Sequence, residues 1–158
     1  EMVIRDWSSD VALPIVTPVG LIPKYVFRGF ERACHFEYKF DSKAELDFAF
    51  VLENDEKITK WLRPAPNQFR IYWDYNSKRY EPDFIVETES AIYMVEVKAA
   101  SELDNADVLA KKSAAEQYCR FATEFTINNE GKPWQYLLLP HDKISKTNSF
   151  DYFVAIGK

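Results

Sequence analysis

Glycine is scarce in this chain, four in 158 residues, and the G-x-x-x-x-G-K-[ST] run of a phosphate-binding loop is missing, so ATP binding is not assigned to it. Cysteine is nearly absent. Cys34 and Cys119 lack metal-type spacing and form no disulfide framework, which points to a reducing cytoplasm. No stretch approaches about 18 consecutive apolar residues, so no membrane span is expected. Residues 1–10 are charged and lack the apolar run of a signal peptide. Repeats and low-complexity tracts are missing too. Nor is there an excess of basic residues: the net charge is −5, whereas a domain that grips nucleic acid unaided carries a basic surface.

What is present is the material of a core. A hydrophobic content of 47% with 16% aromatics excludes disorder, and 158 residues suffice for one domain. The expected organisation is a single domain over residues 1–158, with 1–41 an N-terminal irregular and β appendage and 42–156 the core. The chain starts at Glu1 rather than at methionine and is expected to be a fragment of a longer one.

Pro14, Pro18 and Pro23 rule out a long helix in the first forty residues and leave short β-prone pieces at 15–16, 25–27 and 35–40. His35 is expected to be packed or at the surface rather than a ligand. Ser42 followed by Glu45 is a capping box that opens a helix reaching about Asn54. A second short helix is expected over 56–62, ended by Arg63-Pro64-Ala65-Pro66. Residues 68–75 read as a strand turned by Asn76-Ser77-Lys78. A long helix over about 105–125 faces inward through Val108, Ala115, Tyr118, Cys119, Ala122 and Phe125. Residues 134–139 form an apolar strand reached through that helix and therefore parallel to its neighbour. His141-Asp142 then lies in a loop, and 150–156 reads as an edge strand.

The most informative stretch is 80–98, Y-E-P-D-F-I-V-E-T-E-S-A-I-Y-M-V-E-V-K, a β-hairpin with Thr88-Glu89-Ser90 between its arms. For a two-residue or a four-residue loop alike, paired positions sum to the same number. Asp83 then falls opposite Glu96, with Cβ atoms about 4.5–5.5 Å apart. Lys98, two residues on, shares their face. The rest of both arms is apolar on both sides, so the hairpin belongs in the middle of a sheet. Two carboxylates about 5 Å apart repel by roughly 3 kcal/mol at an effective dielectric near 20, so the pair needs a cation. Lys98 is one; Mg²⁺, held by one or two acidic side chains and phosphate oxygens, is another. A plain ion-pair cluster at the sheet edge is the alternative.

Two further residues have open roles. Glu45 lies on the inward stripe with Ala49 and Leu52, where it can cap the helix or also face the carboxylates; Asp47 points away and Glu53 to the side. Lys111 falls within the inward stripe of the long helix, a costly place for a charge unless it reaches an anion. It either contacts phosphate or carboxylate, or snorkels to the surface.

Pro82-Asp83, a spacer of twelve, then Glu96-Val97-Lys98 resembles the P-D…(D/E)-x-K signature of the restriction-endonuclease-like nucleases. The order helix, three-stranded antiparallel meander, helix, strand is similar to the core of that superfamily, an α/β fold with a mixed central sheet. The likeness extends to F-D-S-x-x-E-x-x-F-A (40–49), L-E-N-D (52–55), Y-E-P-D-F-I-V-E (80–87) and V-E-V-K-A (95–99). With the helix bearing Lys111 and K-P-W-Q-Y-L-L-L-P-H-D (132–142), the series resembles the C-terminal nuclease domain of type III restriction enzyme restriction subunits, over roughly residues 40–145.

That resemblance implies an endodeoxyribonuclease dependent on Mg²⁺, with Mn²⁺ as a substitute. It implies Asp83, Glu96 and the Val97 backbone carbonyl as metal ligands, Lys98 orienting or activating the attacking water, and Glu45 and Lys111 as additional candidates, Glu45 at a metal and Lys111 at phosphate. The implied partners are DNA, a DEAD/DEAH-type helicase motor on the full-length chain, and a methyltransferase subunit. A module carried by such a machine tolerates an acidic balance. Two other functions fit the same residues: a non-catalytic DNA-binding or scaffolding module of this fold, and a structure-specific nuclease of repair or transposition. An RNA substrate finds no aromatic platform.

Overall fold

The computed structural model describes residues 3–6, 18–73 and 78–157. Val3–Asp6 (β1) runs parallel to Tyr25–Arg28 (β2), which pairs antiparallel with Glu37–Tyr38 (β3). The expected piece at 25–27 is thus a strand, only two residues of 35–40 are, and 15–16 lie outside the described residues. This region does not stand apart as an appendage. Ile22, Phe27, Phe30, Tyr38 and Phe40 belong to the same buried cluster as Phe48, Trp61 and Phe84. Tyr38 stacks on Trp61 at 4.8 Å between centroids, and Phe40 on Phe84 at 6.4 Å. Each such ring removes 150–250 Å² or so of surface from water, too much to leave on an appendage.

Lys43–Asn54 (α1) begins as expected: the Ser42 hydroxyl accepts from the Glu45 N–H at 3.2 Å. The reciprocal bond is displaced by one residue, because Glu45 Oε2 accepts from Asp41 N–H at 2.9 Å. Asp47 does not point away; it is buried, paired with Lys43 and 3.8 Å from Lys146. Glu53 accepts from Arg32 N–H at 2.9 Å and from the Trp61 indole at 2.8 Å, fastening α1 to its neighbours.

The expected helix over 56–62 is instead a strand, Ile58–Leu62 (β4). A bulge between Ile58 and Lys60 lets Ile58 and Trp61, three apart, turn to the same buried face. That spacing imitates a helix. Ile71–Trp73 (β5) and Lys78–Tyr80 (β6) form a separate two-stranded hairpin, so the strand expected over 68–75 shrinks and leaves the central sheet. Of the turn expected at Asn76-Ser77-Lys78, Lys78 lies in β6 and the other two residues fall outside the described residues.

Phe84–Thr88 (β7) and Ile92–Lys98 (β8) are the predicted hairpin, with Phe84 opposite Val95 and Val86 opposite Tyr93. Ala106–Ile127 (α2), capped by Asn105, crosses over to Trp134–Pro140 (β9), parallel to β8 as expected. The central sheet has the order β4-β7-β8-β9, three antiparallel strands followed by a parallel one. The fold is α/β with a mixed sheet.

Phe125, expected inward on α2, is 70% exposed. Thr123 and Thr126 hold the inner side there, bonded to Trp134 and Lys132, so the stripe drifts away from Phe125. Residues 150–156 form a helix, Phe150–Ile156 (α3), not an edge strand. Ser149 caps it, and Phe150 and Phe153, spaced for one helical face, are buried.

The hairpin is covered on both sides. Phe84, Val86, Val95 and Leu137 pack with α1, α3 and the N-terminal aromatics; Ile85, Met94 and Tyr136 pack with α2 and the β5–β6 hairpin. Among the described residues no helix is long and apolar enough to cross a membrane. Phe27 is fully buried, so Phe27→Ala should lower unfolding free energy in urea by about 3–5 kcal/mol. A change of about 0.5 kcal/mol or less, the scale of a surface substitution, would mean that the N-terminal residues do not share the core.

Candidate functional site

The paired register ends at Phe84–Val95; the next residue, Asp83, lies in a bend beside the end of β8, near enough to Glu96 for their charges to interact. Were the ladder extended, Val97 would fall opposite Pro82. Proline has no N–H, so it cannot donate to the Val97 carbonyl. The Val97 N–H, which leaves the same edge of β8, is taken by the Asp83 side chain: it donates to Oδ2 at 2.8 Å. Pro82 thus ends the backbone ladder, and Asp83 replaces it with a carboxylate. The Val97 carbonyl points to that same edge.

Glu96 is 4% exposed. Lys98 Nζ lies 2.5 Å from its Oε1, whereas Oε2 is buried with no hydrogen-bond partner among the described residues. The Tyr80 hydroxyl is likewise buried, outside hydrogen-bond geometry among the described residues but close enough to Glu96 to lower its carboxyl. A buried carboxylate oxygen without a donor is costly.

Burial pushes the Asp83 carboxyl up to about 7, and the charge of Glu96 adds to it, against the Val97 N–H, Lys98 and Arg63. Burial also raises Glu96, opposed first by Lys98 and more weakly by Lys111. For Lys98, burial favours the neutral amine, but Glu96 and Asp83 outweigh it and hold the ammonium above its usual value. The lysine therefore stays charged between two carboxylates. Lys111 is half-buried on α2 and near enough for its charge to bear on Glu96.

Glu45 approaches from the α1 side. Its Oε2 accepts from Asp41 N–H and from Arg63 Nη2, both at 2.9 Å. Burial raises its carboxyl; Arg63 lowers it and the charge of Asp83 raises it. Arg63 was not singled out as a site residue from the sequence, where it read only as the end of a helix; its signal was a lone arginine closing a strand before Pro64. Tyr80 was likewise missed, because only the hairpin partner β5 turns its ring onto α2.

His35 is exposed beside Gln68, Cys34 is exposed and Cys119 buried, and none of them joins the carboxylates. Among the described residues no three His, Cys, Asp or Glu side chains close on one point. Asp83 and Glu96 are near enough for their charges to interact, and the Val97 N–H binds Asp83, so its carbonyl leaves the same strand edge. That hard oxygen set, with one carboxylate oxygen unpartnered, fits Mg²⁺ or Mn²⁺, which needs no more than one or two carboxylates from protein. No protein-family model matches the chain, and no curated protein does.

Asp83 binds its proton more tightly in the fold than in the unfolded chain. Its contribution therefore favours folding at low pH and is lost as pH climbs from about 4 to about 7. Asp83→Asn keeps an acceptor for the Val97 N–H and removes the charge. It should raise the thermal midpoint at pH 8, by about 2–4 °C per kcal/mol of relieved repulsion, with little change at pH 4. A lower midpoint at pH 8 would contradict the strain assigned to the pair.

Proposed function

We propose that this chain is a metal-dependent endonuclease domain that hydrolyses DNA phosphodiester bonds on a restriction-endonuclease-like core. The observation that carries the reading is the closeness of Asp83, Glu96 and Lys98 at one end of a buried hairpin, with Glu96 Oε2 unpartnered among the described residues. Carboxylates with raised pKa values beside a charged lysine are costly to the fold and characteristic of sites that do chemistry.

Asp83, Glu96 and the Val97 carbonyl would hold Mg²⁺. When bound, the ion polarises the scissile phosphate and lowers the pKa of a bound water. Lys98, kept protonated by Glu96, orients the attacking water and offsets charge that develops on the phosphate oxygens. Lys111 reaches the same end of the sheet from α2 and contacts phosphate.

The motif series over residues 40–145 supports the narrower reading, the cleavage module of a type III-like restriction enzyme in the cytoplasm. A helicase motor elsewhere on the full-length chain and a methyltransferase subunit would then supply translocation and target recognition. The net charge of −5 fits a module whose grip on DNA comes from such partners.

Nicking of supercoiled plasmid with Mg²⁺ or Mn²⁺ tests the reading. Asp83→Ala and Lys98→Ala should each cut the rate by about 10²–10³, the scale of removing a charge-stabilising group, and Lys111→Ala by less. Nicking that survives Asp83→Ala would place the chemistry elsewhere. Preferential cleavage of flaps or branches over duplex would favour a structure-specific nuclease.

A further inference from the structure

Glu45 and Arg63 meet for reasons of backbone. Glu45 is third in α1 because Ser42 caps that helix, and Arg63 follows Leu62 as β4 ends at Pro64. Arg63 Nε donates to the Lys39 carbonyl at 2.7 Å, and Nη2 to Asp41 at 2.6 Å and Glu45 at 2.9 Å. Its guanidinium lies over the rings of Phe40 and Phe84, 5.8 and 5.9 Å from their centroids. Phe84 is the residue next to Asp83. The guanidinium is always charged, and a planar fork tied at this many points has little freedom left to lose. A fixed cation thus stands over Phe84 and on Glu45, near enough for its charge to bear weakly on Asp83.

We infer that the centre holds a single divalent ion, on Asp83, Glu96 and the Val97 carbonyl, and that Arg63 takes the place of a second. The inference rests on the nuclease reading of that same site. Glu45 then serves as the anchor of Arg63 rather than as a metal ligand. A second ion at Glu45 would have to displace a half-buried Arg–carboxylate pair or sit against a guanidinium of like charge. Neither is favourable. Arg63 instead presents permanent positive charge toward phosphate oxygens, without an ion to bind and lose.

Titration of this chain with Mn²⁺, followed by electron paramagnetic resonance, counts bound ions without reference to activity. Wild type should bind one per chain. Glu45→Gln, which keeps an acceptor for the Asp41 N–H, should still bind one with affinity changed by about twofold or less, whereas loss of a true ligand costs tenfold or more. Arg63→Met should unlock Glu45 and bind two, with the spectrum of a spin-coupled pair; Arg63→Lys, which keeps the charge, should bind one. Two ions in wild type, loss of an ion or a tenfold weakening in Glu45→Gln, or a single ion in folded Arg63→Met would each overturn the inference. If Arg63→Met does not fold, wild type and Glu45→Gln decide between them. No ion bound by wild type would defeat the metal site itself, and the inference with it.

Discussion

Everything at this site depends on the register of one hairpin. Four residues of β7 pair with β8, with Phe84, Val86, Met94 and Val95 buried, and just past the last pair the apolar pattern gives way to Asp83 beside Glu96. A slip of one residue would turn each side chain of the strand to the opposite face and separate the pair. The core therefore holds in place a repulsion that the carboxylates alone would relieve. Pro82 contributes by ending the ladder where it does, so that the Val97 N–H is met by a side chain and the Val97 carbonyl is left at the strand edge.

Both layers of the fold feed that strand end. Strand β8 continues past β7 to Lys98 and stays paired with β9 throughout, so Glu96 and Lys98 stand on supported backbone rather than on a loop. The α2 layer brings Lys111 and, through the β5–β6 hairpin, Tyr80. The α1 layer brings Glu45, and the end of β4 brings Arg63. Burial makes the charges expensive; Lys98 offsets both carboxylates, and Arg63 helps to offset Asp83. Among the described residues the arrangement leaves one carboxylate oxygen of Glu96 without a donor, which is where a hard cation would be most stabilising.

Much of this was legible in the residues. The Asp83–Glu96 pairing is independent of loop length, since any symmetric turn preserves the sum of paired positions, and the Ser42 cap and the parallel β9 follow from local rules. What escaped had physical causes. The bulge in β4 gives Ile58 and Trp61 a helical spacing, and Phe150 with Phe153 has that spacing in a true helix, so the two segments were exchanged in kind. The meander also takes β4 as its third strand because the nearer strand β5 is short and pairs with β6 instead. Phe27 and Phe40 enter the core through contacts with residues distant in sequence, and Arg63 acquires its role only where β4 ends beside α1. Such long-range partnerships leave no period to read.

The central claim is that Asp83 and Glu96 form a divalent-cation site in which burial makes the carboxyls hold their protons more tightly than usual, Asp83 up to about 7. Calorimetric titration of Mg²⁺ at pH 7, in two buffers of different ionisation enthalpy, measures both parts at once. The account predicts saturable binding that releases protons to the buffer and is abolished by Asp83→Ala. Binding without proton release, or binding undiminished in Asp83→Ala, would contradict it.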